Sequence, residues 1–155
     1  MTDRRSFLAL LAAGASATAL PARAATPMHV LATPGCGCCH AWAGLASERG
    51  FDVTIEDMTD PAREKAALGV PADLASCHTV RVDGYLFEGH VPFPALEAVL
   101  RDRPEIAGLA VPGMPAGSPG MGDDPAARYD VLAFGGTAGA GTVFYRAGTA
   151  DPFAG

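Results

Sequence analysis

The chain has 155 residues, 49% of them hydrophobic, with 11 basic and 17 acidic side chains and a formal charge of −6. That length suits one domain. Lys65 is the single lysine, and no basic cluster stands ready to neutralise phosphates, which excludes nucleic acid as an expected partner.

Arg4 and Arg5 precede an apolar run, Phe7 to Leu20. That run is shorter than the ~20 residues a bilayer span requires. It ends at Pro21, and Ala22-Arg23-Ala24 supplies a small-residue cleavage pattern. Residues 1–24 therefore read as a secretory signal. Asp3-Arg4-Arg5-Ser6-Phe7-Leu8 fits the twin-arginine type, whose carriers cross the membrane folded. The expected location is periplasmic, with no membrane attachment after signal removal. Cleavage removes Arg4, Arg5 and Arg23 against Asp3, leaving 131 residues with 8 basic and 16 acidic side chains and a formal charge of −8.

Met28 to Thr33 is a short apolar run that suits a buried strand, closed by Pro34-Gly35. His40 to Arg49 has helical spacing in Trp42, Leu45 and Ala46, and Gly50 is a stop signal. Phe51 to Ile55 alternates as a strand does. Asp60-Pro61 reads as an N-cap followed by proline at the first helical position, opening a helix that runs to Leu68 and stops at Gly69. Pro71 to Ser76 is a turn or a short helical piece. Thr79–Val82 and Tyr85–Glu88 are strands joined by Asp83-Gly84, a hairpin signal because a type I′ turn needs positive φ at both central residues. A third helix covers about Pro94 to Arg103, with Leu96, Val99 and Leu100 on one face. The expected class is α/β, a thioredoxin/glutaredoxin-like βαβαββα core with parallel strands joined by short helices. A Gly/Pro/Met-rich loop, Ala110 to Pro125, and an extra hairpin, Tyr129–Phe134 with Thr142–Tyr145, follow it. Residues 25–147 form the domain and 148–155 a tail.

Cys36-Gly37-Cys38-Cys39 combines C-x-x-C, C-x-C and a vicinal pair at a helix entrance. There the helix dipole and free N–H groups favour thiolates, which serve as nucleophiles or as metal ligands. Bridging Cys36 to Cys39 would leave Cys38 unpaired in an oxidising compartment, so a simple disulfide pair accounts poorly for the motif. Ser76-Cys77-His78-Thr79 lies just before the third strand, where thioredoxin-like folds place a cis-proline. In that fold Cys77 and His78 approach the first three cysteines. His40, His90, Met114 and Met121 are further candidate ligands. Soft thiolate and thioether donors favour Cu(I), with zinc and iron–sulfur clusters as competitors.

The segments CGCCHAW, GVPADLASCHTVRVDGYLFEGHVP and GLAVPGMPAGSPGM together resemble the CopG-like family of exported copper-resistance proteins, long catalogued only as a domain of unknown function. The match runs from about Val30 to Met121. The resemblance implies a thioredoxin-like fold and copper at a cysteine-rich cluster. Cys36, Cys38, Cys39 and Cys77 match its cysteines, His78 and His90 its C-H and G-H-V-P motifs, and Met114 and Met121 its Met-rich loop. The expectation is a periplasmic protein holding Cu(I), in a site able to take several ions through bridging thiolates, for copper tolerance, trafficking or redox. Its partners are copper ions and other periplasmic copper-handling proteins. The alternative is a thiol–disulfide oxidoreductase using Cys36 and Cys39.

Overall fold

The computed structural model describes residues 24–153, so nearly all of the signal segment lies outside the described residues. Ten main elements follow one another: β1 (Thr26–Ala32), α1 (Gly37–Glu48), β2 (Phe51–Asp57), α2 (Pro61–Leu68), β3 (His78–Val82), β4 (Tyr85–Gly89), α3 (Phe93–Asp102), β5 (Gly108–Val111), β6 (Tyr129–Phe134) and β7 (Thr142–Ala147). None of the described helices is long and apolar enough to cross a membrane.

Local chemistry explains most of these boundaries. Asp60 caps α2 by accepting from the Arg63 N–H at 3.2 Å, and Glu64 Oε1 accepts from the N–H groups of Thr59 and Asp60 at 2.8 and 3.0 Å. Asp83 and Gly84 both take positive φ, 52° and 88°, as their hairpin demands. α1 begins three residues earlier than its periodicity suggests, because Cys36 Sγ accepts from the Cys39 N–H at 3.3 Å and so caps the first turn.

All seven strands form one sheet in the order β2-β1-β3-β4-β5-β6-β7. The pairs joined by a helix, β1–β2 and β4–β5, are parallel as expected, and every other neighbouring pair is antiparallel, the two expected hairpins among them. The two-residue Asp83-Gly84 turn forces β3 and β4 to run opposite ways. The segment read as the start of a loop includes a strand instead. β5 is four residues long and buried throughout, so it carries no alternation to reveal it.

Side-chain alternation divides the core between the two sheet faces. Val30, Val80, Phe87, Leu109 and Val131 point to the face covered by Trp42 and Ala46 of α1 and Phe93, Leu96 and Val99 of α3. Ala110 and Phe134 point the other way, with Leu74 against them. Lys65 of α2 reaches Thr79 and Glu88, which alternate with Val80 and Phe87, so α2 lies over this second face.

The β4–β5 seam leaves no room at Gly108, where an added Cβ would sit 1.9 Å from the Leu86 carbonyl oxygen. Gly108→Ala is expected to destabilise the protein by about 1–3 kcal/mol, the range for overpacking. Urea denaturation of the two proteins measures the difference.

Candidate metal centre

The sheet register gathers four chain segments at one end. β1 ends there at Ala32, paired with His78, where antiparallel β3 begins. β4 returns to the same end, with Thr79 opposite Glu88, and β5 leaves there with Val111 opposite Gly89. The β1–α1 turn with its cysteines, the approach to β3 with Cys77, the exit of β4 with His90 and the glycine-rich loop after β5 therefore share one rim.

The four cysteine sulfurs lie within 4.8 Å of one another. Cys36 and Cys39 are joined as a disulfide, while Cys38 and Cys77 are free thiols. Cys36 Sγ lies 3.4 Å from Cys38 Sγ. This pairing is the one the sequence reading weighed against metal binding. It leaves two of the four sulfurs unavailable as thiolates until they are reduced.

Cys77 also anchors a second group. Its Sγ is 3.0 Å from His90 Nε2 and 3.3 Å from His78 Nδ1, and all three donor atoms lie within 4.8 Å of one another. Cys77 thus stands between the thiol cluster and two fully buried imidazoles. Its carbonyl accepts from Thr33 Oγ1 at 2.7 Å and Thr33 N–H at 3.0 Å, which fixes the loop to the end of β1.

Each ring is held differently. His90 Nδ1 lies 2.7 Å from the Pro119 carbonyl, an acceptor only, so Nδ1 carries the proton and the Nε2 lone pair faces Cys77. His78 packs 5.2 Å from Trp42 and 5.0 Å from His90, centroid to centroid. Its Nε2 is buried without a hydrogen-bond partner among the described residues. Trp42 donates from Nε1 to the Val91 carbonyl at 3.1 Å, tying α1 to the segment after His90.

The glycine-rich loop closes the rim. Gly120 has φ +84°, and a Cβ there would meet the Cys38 carbonyl oxygen and the Trp42 nitrogen at 2.9 Å each. Glycine is thus required where the loop lies on the first turn of α1. Met121 follows it, half-buried, while Met114 is 43% exposed at φ +49°. His40 is exposed on α1 and belongs to neither donor group. The structure therefore brings together Cys36, Cys38, Cys39, Cys77, His78 and His90. The Thr33 and Pro119 contacts carry no sequence signal, because backbone atoms make one side of each.

Electrostatics keeps this site uncharged when metal-free. Burial, then the neighbouring Cys38, pushes the Cys77 thiol up to about 12. Burial pushes His78 down to about 3, helped by His90 and by the Lys65 ammonium, and burial lowers His90 as well. Neutral imidazoles are the form that binds metals. The donor set, soft sulfur beside neutral nitrogen, suits copper or zinc. Cation binding at Cys77 must displace its proton.

These shifts set a pH dependence. The unfolded chain protonates at His78 near 6.5, and the folded protein resists until about 3, so stability is full above 6.5 and falls as pH drops through that window. Between pH 7 and 5, His78 alone is expected to cost the metal-free protein about 2 kcal/mol. Urea titrations at both pH values check this, with His78→Gln removing that share.

Residues 74–121 match a family model described as "Protein of unknown function, DUF411". Two solved structures, titled copper resistance protein CopG form 1 and form 2, are each 37% identical to the chain and cover 79% of it. The alignments span 97% and 98% of those chains, with TM-scores of 0.72 and 0.70. No curated protein matches.

Proposed function

The chain belongs to the CopG family of copper resistance proteins, and from that premise we propose that it is a periplasmic protein binding Cu(I) for copper tolerance. The observation that carries this reading is the convergence of four sulfurs and two neutral imidazoles on one rim. Cys36, Cys38, Cys39 and Cys77 would supply thiolates once the disulfide is reduced, and Cys77 is common to both donor groups. His78 and His90 complete the donors on the buried side. The site as a whole has room in its donor count for more than one copper. A thioredoxin-like core is supported by the β1-α1-β2-α2-β3-β4-α3 order and by the neighbouring strands β2-β1-β3-β4. The twin-arginine reading of residues 1–24 supports export in the folded state.

Loading this site requires chemistry first. The Cys36–Cys39 disulfide takes two electrons and two protons from a dithiol reductant to become two thiols. Those thiols lose their protons when they ligate copper. The disulfide also favours a second reading, in which Cys36 and Cys39 exchange electrons with a thiol partner and the protein is an oxidoreductase.

One experiment separates the two. Reduced protein is titrated with Cu(I) under anaerobic conditions against a chelator of known affinity. The copper reading expects tight uptake of more than one ion, with a large loss in Cys36→Ser and in Cys77→Ser. Weak uptake by the wild type, together with ready cycling of the Cys36–Cys39 pair against a dithiol, would replace it with the oxidoreductase reading.

A further inference from the structure

The donor groups leave one buried charged pair unused. Lys65 is 4% exposed and Glu88 is fully buried. Burying such a pair commonly costs as much desolvation as its attraction returns, so stability alone is a weak account of it. Its hydrogen bonds suggest another. Glu88 Oε1 accepts from Lys65 Nζ and from the Ser76 backbone N–H, both at 2.6 Å. Glu88 Oε2 accepts from Thr79 Oγ1 at 2.5 Å, and Lys65 Nζ donates to that same hydroxyl at 3.0 Å.

One carboxylate therefore grips the residue before Cys77 and the residue after His78. On the opposite side, Thr33 holds the Cys77 carbonyl through two hydrogen bonds. The dipeptide that joins the thiol cluster to the imidazoles is fixed at both flanks.

We infer that Glu88, oriented by Lys65, is a positioning residue that holds Cys77 and His78 in ligand geometry without itself touching the metal. The inference rests on the copper-site reading for its consequence, and on the hydrogen-bond geometry alone for its mechanism. Glu88→Met keeps the length of the side chain but accepts no hydrogen bond, so the loop is released at Ser76 and at Thr79 together; glutamine would not serve, since its oxygen can hold the Ser76 N–H while its amide nitrogen donates to the Thr79 hydroxyl. A double variant, Lys65→Met with Glu88→Met, removes both charges together and serves if the single variant does not fold, because no unpaired ammonium is left buried.

Two readouts on purified protein test this at a temperature where each variant is folded. The first needs no metal. After reduction, iodoacetamide labelling followed by peptide mass spectrometry gives the rates at Cys77 and Cys38. Release of the loop raises the Cys77 rate several-fold and leaves Cys38 unchanged. The second is Cu(I) affinity, expected to fall ~10–100-fold, the usual cost of losing an outer-shell partner of a metal ligand. Val131→Ala, a core change in β6, is the control for lost stability and leaves both readouts at wild-type values. An unchanged Cys77 rate in the folded Glu88 variants overturns the inference, as does an equal change in the Val131 control. If the wild type binds no copper, the site reading fails, while the labelling result still decides the loop's anchor.

Discussion

The whole site depends on the antiparallel pairing of β3 against both β1 and β4. It is this pairing that returns the chain to one rim three times, so that residues 36–39, 77–78 and 90 meet although up to 54 positions separate them. A one-residue slip of β3 would turn Val80 and Val82 out of the core and move His78 to the other face. The hydrophobic pattern that buries Val80 and Phe87 thus also specifies where the donor atoms go. Packing and chemistry are set by the same register.

Burial then decides the chemistry available at the rim. Hydrophobic surroundings hold Cys77 protonated and His78 and His90 neutral, so the metal-free protein avoids a buried charge. The Lys65–Glu88 ion pair, buried nearby, is satisfied by Thr79 and by a backbone N–H. A cation entering among the sulfurs would supply the positive charge that makes thiolates tolerable there.

Much of this was legible in the amino-acid sequence because it rests on local rules. The Asp60-Pro61 start of α2, the Asp83-Gly84 hairpin and the strand–turn–helix around Cys36 to Cys39 are governed by capping, turn conformation and periodicity. The same is true of the hairpin made by β6 and β7. β5 escaped because four uniformly buried residues carry no period. The antiparallel pairing of β1 with β3 and of β5 with β6 escaped, because no hairpin turn joins those strands and their direction is settled by pairing across the sheet. Among the candidate donors, residue types singled out Cys77, His78 and His90, which the fold brings together. The Thr33 and Pro119 anchors did not show, since they act through the Cys77 and Pro119 carbonyls. Lys65 and Glu88 look like ordinary surface charges in one dimension, and only the fold brings them together inside.

The extension of the sheet beyond β4 has a consequence for traffic at the rim. β5, β6 and β7 on one side, with β2 on the other, flank β1, β3 and β4, the strands whose ends carry the donors, so those three strands are not sheet edges. A partner protein cannot reach the cluster by adding a strand. It must approach end-on, where Cys36 and Cys38 are half-exposed while Cys39, His78 and His90 are closed off. Were copper held here as proposed, the outer sulfurs of the C-x-C pair would meet a visiting ligand first, and the buried imidazoles would release last.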